Sequence, residues 1–229
     1  MKTIRILALL TVFLGVQIVK AQENTDDQMK ILFPKTEKKG QTANGGYGSF
    51  SIGYTNMNDQ GAILIGGRGA WIANHHFSLG LAGYGFYSNL ENSDNYYENP
   101  SEYSITGGYG GLLFEPIVAP FSPVHVSFPM IFGAGGATAA NWEYYNYNYG
   151  YDNYYYNGDW FLVFEPGVDV EFNLTKFFRV ALGVSYRLAS DINLQYKYFD
   201  DANVEQTINI PENVLNGFNY NLCFKFGWF

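Results

Sequence analysis

A strict two-residue alternation over 160–188 is the feature that most limits what this chain can fold into. From Trp160 to Phe172 the even positions are bulky and mostly apolar, whereas the odd positions include Glu165, Asp169 and Glu171. After a short break the pattern resumes at 178–188, where large apolar residues alternate with small or basic ones. A period of two is typical of a β-strand with two different faces. Because the apolar face is uniformly bulky, we expect it to face lipid and the other face to line a lumen.

The same alternation predicts six further strands. Charged residues make up only 15 % of the chain, against about 25 % in a typical soluble domain, and after the first twenty-one residues no apolar run approaches the ~20 residues of a transmembrane helix. A membrane-spanning chain without such helices must be a closed barrel. The sequence therefore predicts an all-β, closed antiparallel eight-stranded transmembrane barrel, with strands at 46–56, 62–73, 76–88, 102–114, 124–139, 160–172, 178–188 and 218–229. On the fourth strand, the pattern is interpreted with Ile105, Tyr109 and Leu113 facing outward.

The connections between these strands alternate in length. Short turns are predicted near residue 58 and at 74–75 and 173–176, a moderate one at 115–123, and long polar loops at 89–101, 140–159 and 190–216. Short periplasmic turns and long extracellular loops are typical of bacterial barrels, and an even strand number places both termini in the periplasm. Pro129 and Pro166 interrupt predicted strands, so we expect bulges or kinks there.

The N-terminus has the pattern of a secretory signal peptide. Lys2 and Arg5 precede an apolar run, and Val19-Lys20-Ala21 fits a cleavage site before Gln22. We therefore divide the chain into a signal peptide at 1–21, a periplasmic leader at 22–45 and a barrel at 46–229. The formal net charge of −8 argues against nucleic acid as a partner, and the single Cys223 excludes an internal disulfide.

Charged residues on the inward face are the first candidate site. An eight-stranded barrel is just wide enough for side chains to fill it, so these charges should pair across the lumen. Cross-strand geometry predicts that Glu171 pairs with Arg179 and that Glu165 reaches Arg187. The favoured interpretation is a structural plug, and the alternative is a narrow path for ions, protons or small solutes. The predicted network comprises Arg68, Glu102, Glu165, Asp169, Glu171, Arg179, Arg187 and Lys225.

The predicted loop at 140–159 is the second candidate site. Tyrosine beside Asn, Gly and Asp combines flat amphipathic rings with local hydrogen bonding, as in adaptable binding surfaces. An extracellular glycan or protein is the expected partner, and a hydrated, shielding low-complexity loop is the alternative. The candidate residues are Trp142, Tyr144, Tyr145, Tyr147, Tyr149, Tyr151, Tyr154, Tyr155 and Tyr156.

An enzyme that modifies membrane lipid is the remaining alternative. Acyl transfer or hydrolysis needs a base, usually His, beside a nucleophile near the outer rim. His75, His76 and His125 all fall at the predicted periplasmic rim. The chain is therefore expected not to be an enzyme, and no cofactor or metal is predicted.

The chain resembles the small outer-membrane barrel proteins common in Bacteroidetes and, more distantly, the OmpA and OmpX barrels. The resemblance is carried by the Ala21-Gln22 cleavage context, the strand-turn-strand segment 173–179 and the aromatic ending 224–229. It implies an outer-membrane location, contact with outer-membrane lipid and lipopolysaccharide, and recognition by the barrel-assembly machinery through Phe226, Trp228 and Phe229. Trp228 shares a face with the outward aromatics, whereas Phe229 falls on the other face.

Overall fold

The structure is a computed structural model that describes residues 44–57, 60–88, 104–140, 157–199 and 204–229. The described chain consists of strands and their connections. Among these residues, no helix is long and apolar enough to cross a membrane. The strands are β1 (Asn44–Met57), β2 (Gln60–Ala73), β3 (Phe77–Ser88), β4 (Ser104–Val118), β5 (Val124–Ser127), β6 (Met130–Ala140), β7 (Asn157–Asn173), β8 (Phe178–Ala189), β9 (Gln195–Phe199), β10 (Glu205–Asn209) and β11 (Gly217–Trp228).

Antiparallel pairing closes nine of these strands into a ring. Strands β1 to β4 pair consecutively, β4 and β7 both pair with β5 and β6, β7 pairs with β8, and β11 pairs with both β8 and β1, so the sheet has no free edge. Strands β5 and β6 lie end to end between β4 and β7, and together occupy one strand position in the wall. The ring therefore has eight strand positions, and the prediction of a closed eight-stranded antiparallel barrel is confirmed. We call the end that holds Asn44 and Phe229 the terminus end, and the opposite end the loop end.

The two faces of the wall differ as the alternation predicts. Large apolar side chains point outward and are strongly exposed, including Phe50 on β1, Ile65 on β2, Leu182 on β8 and Phe226 on β11. Arg68, Glu165, Asp169, Glu171, Arg179, Arg187 and Lys225 all point inward and are buried. The charged side chains therefore lie in the lumen, away from the apolar outer surface.

The predicted orientation of the fourth strand is wrong. Ile105, Tyr109 and Leu113 are buried in the lumen, whereas Leu112 is exposed on the outer surface. Because residues 107, 108, 110 and 111 are glycines, both faces of β4 have few side chains, and the sequence pattern does not determine which face points inward. The ladder with β3 fixes it instead, because Tyr109 pairs with the inward Tyr84.

The two prolines behave differently. Phe128 and Pro129 lie outside the ladder and separate β5 from β6, which confirms the expected interruption at Pro129. The Pro129 carbonyl accepts a hydrogen bond from the Gly167 amide at 2.8 Å, so β7 stays attached to the wall there. Pro166 lies within the continuous strand β7, opposite Met130 on β6, but the ladder with β8 is interrupted there, between the pairs Phe164–Leu188 and Gly167–Ser185.

The connections refine the predicted pattern. At the terminus end, β2 and β3 are joined by a tight turn in which Asn74 and His75 have φ of 50° and 62°. Two consecutive positive-φ residues are typical of a type I′ hairpin turn, which Asn tolerates well. At the loop end, the predicted long loop 190–216 contains the hairpin β9–β10, so it is more regular than the sequence indicated. Strand β4 also continues to Val118, where the sequence analysis placed a connection from Glu115.

Candidate functional site: the closed lumen

Three basic side chains cross the lumen of the barrel from one wall to the opposite one. Lys225 on β11 reaches Glu115 on β4, and Arg68 on β2 reaches Asp169 on β7. In each case the two strands lie diametrically opposite in the eight-membered ring. The third is Arg187 on β8, whose guanidinium lies 5.4 Å from the ring centroid of Phe86 on the opposite strand β3. These crossings lie at two levels of the lumen.

The ionic closure is the level nearer the terminus end, formed by Arg68, Glu115, Asp169, Glu171, Arg179 and Lys225. Its centre is Lys225, whose Nζ lies 2.6 Å from Oε1 of Glu115 and 2.6 Å from Oε1 of Glu171. The Ser127 hydroxyl lies 3.0 Å from Glu115 Oε1 and 2.6 Å from Glu171 Oε1, and its single proton is shared between the two carboxylates. Because a charge removed from water is costly unless it is paired, this geometry stabilises three otherwise unfavourable ions.

Arg68 forms the second connection within the ionic closure. One of its terminal nitrogens lies 2.6 Å from Asp169 Oδ2 and 3.8 Å from Glu115 Oε1. Its Nε donates to the Tyr84 hydroxyl at 2.8 Å. Ser49 on β1 fixes the backbone of Arg68 by accepting its amide hydrogen bond.

Arg179 completes the closure at the terminus end. Its Nη1 lies 3.5 Å from Glu171 Oε2, which confirms the predicted contact between these two residues. Glu171 Oε2 also lies 3.1 Å from Nε2 of the buried His125. The guanidinium of Arg179 lies 3.8 Å from the ring centroid of Phe229, and that ring stacks on Tyr47. Tyr47 in turn donates a hydrogen bond to Glu115, so aromatic rings cover the ionic closure on this side.

The middle level contains Glu165 and Arg187, which do not form the predicted pair. Glu165 accepts hydrogen bonds from the hydroxyls of Tyr109 and Ser185 instead. Arg187 donates from Nε to the Leu215 carbonyl at 2.6 Å, and its guanidinium lies 5.4 Å from the ring centroid of Phe86 and 5.6 Å from that of Tyr109.

An apolar cap, formed by Ile192, Leu194, Ile210, Val214 and Leu215, covers the lumen at the loop end. These residues flank the β9–β10 hairpin and are buried in one cluster with inward residues of the wall. Backbone hydrogen bonds join the two arms, from Ile192 to Glu212 at 3.1 Å and from Ile210 to Leu194 at 3.0 Å. Asn216 accepts the Ala189 amide at 2.6 Å and attaches the cap to β8.

The charge balance of the ionic closure indicates whether it could hold a metal ion. The ionic closure has three basic and three acidic groups, so it is formally neutral when all six are ionised. Oxygens of Glu115, Asp169 and Glu171 approach within 4.8 Å of one another, a spacing that would suit a metal ion. Lys225 and Arg68 already neutralise these carboxylates at 2.6 Å, so the arrangement fits a structural ion network better than a cation site.

The sequence prediction of the network was incomplete. Seven of its eight residues point into the lumen, and Glu102 lies outside the described residues. Glu115, His125, Ser127, Tyr47 and Tyr109 were missed. Continuing the correct alternation on β4 through Leu113 would have identified Glu115, whereas no sequence signal distinguished the hydroxyl donors.

The loop and assembly candidates lie elsewhere. Trp142 and the predicted tyrosines of the 140–159 loop lie outside the described residues. At the terminus end, Trp228 is 80 % exposed on the outer face beside Phe226, whereas Phe229 packs inward on Arg179. The three aromatic residues of the proposed assembly signal are therefore divided between the two faces, as the alternation predicted.

No protein-family model and no curated protein sequence matches this chain. Solved barrels resemble it in structure. Neisserial surface protein A is 9 % identical with a TM-score of 0.48, over 82 % of this chain and 99 % of that one. The N-terminal β-barrel domain of Pseudomonas aeruginosa OprF is 10 % identical with a TM-score of 0.44, over 80 % and 99 %. The outer membrane protein OprG from the same organism is 12 % identical with a TM-score of 0.42, over 81 % and 93 %. The barrel assignment itself rests on the strand pairing.

Proposed function

We propose that this protein is a non-enzymatic outer-membrane barrel whose closed lumen acts as a rigid support for surface loops that bind an extracellular partner. The observation that carries this proposal is the set of basic side chains that cross the lumen and are held on the opposite wall. A barrel obstructed in this way is poorly suited to conduct solutes. Its rigid wall is well suited to hold the loops at the loop end.

The outer surface supports a membrane location. Exposed apolar side chains surround the barrel, and a charged residue among them would be costly in lipid. Trp71 and Trp228 are exposed near the terminus end, and Trp160 and Tyr220 near the loop end. Aromatic residues at two levels are typical of the two interfaces of a bilayer. Outer-membrane lipid and lipopolysaccharide are the corresponding partners of this surface.

The expected binding surface is the Tyr-rich loop between β6 and β7. Both strands end at the loop end, and Trp160, at the start of β7, is 68 % exposed there. We propose that a glycan or protein outside the cell binds the tyrosines of this loop. Both termini would then lie in the periplasm, and Phe226 and Trp228 would present the outward aromatics that the barrel-assembly machinery recognises.

Orientation is tested by labelling intact cells with an impermeant maleimide. Single cysteines are introduced at Tyr151 and at Leu174 in a Cys223→Ser background. We expect labelling of Tyr151→Cys alone, since Leu174 lies in a turn at the terminus end. Labelling of Leu174→Cys alone, or of neither variant, would contradict the proposed topology.

Closure and binding are tested separately. Purified protein in a planar bilayer should give no discrete conductance steps, and stable steps would exclude the closed lumen. A variant with the tyrosines at 144–156 changed to Ser should lose binding of intact cells to a glycan array or to host-cell protein. Replacing Tyr96 and Tyr97 in the 89–101 loop provides the matched control, and equal binding by both variants would exclude the Tyr-rich loop as the binding surface.

A further inference from the structure

Glu165 and Arg187 are buried, oppositely charged side chains on neighbouring strands that do not pair with each other. The β7–β8 ladder is interrupted at this level but keeps one register on both sides, and this register places Glu165 opposite Arg187. Both side chains point into the lumen, with 3 % and 0 % of their surfaces exposed. Opposite charges directly across two strands attract each other, so another contact in the structure must keep this pair apart.

Each of the two charges is held by neutral groups. Glu165 accepts hydrogen bonds from the hydroxyls of Tyr109 and Ser185, and it forms no ion pair with any residue that the structure describes. Arg187 donates from Nε to the Leu215 carbonyl at 2.6 Å, whereas its Nη1 and Nη2 have no hydrogen-bond partner among the described residues. Because a buried donor without a partner costs free energy, a carboxylate would stabilise this guanidinium better than its present neighbours do.

The group that holds Arg187 belongs to the apolar cap. Leu215 lies in the connection between β10 and β11, and its side chain is one of those that cover the loop end of the lumen. The two arms of the cap are hydrogen-bonded to each other, and near its start the Asn193 amide donates to the Asp159 carboxylate of the wall at 2.8 Å. Displacement of the cap as one piece would therefore remove the acceptor of Arg187 without opening the ring of strands.

We propose that the apolar cap is a displaceable lid and that Arg187 is its latch, with one position for each state of the lid. In the closed state Arg187 binds the Leu215 carbonyl. When the cap moves outward, the guanidinium turns to Glu165, and the new ion pair replaces the lost contact. Such a two-state element transmits an event at the surface loops to the interior of the barrel.

The exchange of partners leaves the ionic closure unchanged, so the lumen stays closed in both states. The inference therefore goes beyond the proposed function, and its test depends neither on conductance nor on an extracellular partner.

Labelling of a buried cap residue measures the displacement. Leu194, which is 1 % exposed, is changed to Cys in a Cys223→Ser background, and the full protein in detergent micelles is labelled with a maleimide. Each rate is divided by the rate of the same thiol in denatured protein. We expect Leu194→Cys to react faster than the native Cys223 of the wild type, also 1 % exposed, because the cap moves without unfolding of the wall. Equal rates would mean that the cap opens only when the whole barrel unfolds, and would overturn the proposal.

Glu165→Gln tests the second position of the latch. Gln keeps an oxygen that accepts the Tyr109 and Ser185 hydroxyls, but it cannot form an ion pair with Arg187. We expect labelling of Leu194→Cys to slow about tenfold in this variant, because the displaced state loses a hydrogen bond between charged groups. If Glu165 only supports the closed lumen, labelling would be unchanged or faster, and either result would overturn the proposal.

Two comparisons isolate the latch from other effects of the substitution. Val204→Cys, at a position 53 % exposed, is the reagent control and should react at the same rate with and without Glu165→Gln. In an Arg187→Met background, Glu165→Gln should no longer slow the labelling of Leu194→Cys, since the latch is missing. Slower labelling that persists without Arg187 would mean that the charge of Glu165 acts on the cap by another route, and would overturn the proposal.

Discussion

Replacement of Lys225 by Met is the sharpest test of the ionic closure. The substitution keeps a long unbranched side chain but removes the one cation that contacts both Glu115 and Glu171 at 2.6 Å. The closure then has two basic and three acidic groups. Two carboxylates that share one ammonium group in the native protein must remain buried without it.

The expected loss of stability follows from this geometry. Removing one partner of a buried ion pair typically costs about 3–5 kcal/mol, because the remaining charge stays buried without compensation. Glu171 keeps Arg179 and His125, whereas Glu115 keeps only the Tyr47 hydroxyl and distant contact with Arg68 at 3.8 Å; both carboxylates share the one Ser127 proton. Most of the penalty should therefore fall on Glu115, and the double variant Lys225→Met/Glu115→Gln should recover most of the lost stability.

The measurement is reversible denaturant unfolding of the protein in lipid vesicles, followed by tryptophan fluorescence. Lys225→Met should lower the free energy of unfolding by about 3–5 kcal/mol, the range for a broken buried pair. Lys176→Met, at an exposed lysine in a turn at the terminus end, is the matched control and should stay within about 0.5 kcal/mol of wild type.

Two results would refute this reasoning. If Lys225→Met is as stable as Lys176→Met, then Lys225 does not neutralise the buried carboxylates. If the double variant is no more stable than Lys225→Met, then the cost does not come from the unpaired charge on Glu115.

Three further predictions concern the outer face, the middle level and the packing of the closure. Leu182 is 55 % exposed near the middle of β8, and Leu182→Arg should destabilise the barrel in vesicles by about 2–4 kcal/mol. If Leu182→Arg destabilises the barrel less than Leu182→Ala does, the position does not face lipid. Tyr109→Phe leaves Glu165 with the Ser185 hydroxyl as its one hydrogen-bond donor, and should lower the free energy of unfolding by about 1–3 kcal/mol in the same measurement. An unchanged stability would mean that the Tyr109 hydroxyl does not stabilise the buried Glu165. Gly183→Ala should cost about 1–3 kcal/mol, because its new Cβ would lie 2.2 Å from Oδ1 of the Asp169 carboxylate, which Arg68 holds in place through Oδ2. Gly48→Ala, with no atom within 4 Å of the new Cβ, is the control, and equal effects of the two alanines would contradict this packing argument.

Strand alternation predicted the orientation of most of the wall. On β7 and β8 the inward Glu171 and Arg179 follow directly from a period of two, and cross-strand distance then brings them together. The method failed on β4, where glycines remove the contrast between the two faces and the neighbouring leucines 112 and 113 suit either orientation. It also missed His125, because a single histidine at a strand end gives no periodic signal.

The amino-acid sequence by itself determined the barrel class, the inward position of the charges and the outward position of the apolar side chains. These features depend only on local periodicity and on the cost of leaving backbone groups unpaired in lipid. The tertiary structure decided which charges meet. Lys225 with Glu115 and Arg68 with Asp169 are joined across the diameter of the barrel, and their distances depend on ring closure, shear and the filling of one shared lumen. Ring closure, shear and lumen filling are properties of all eight strand positions together, and so they cannot be read from any single segment of the sequence.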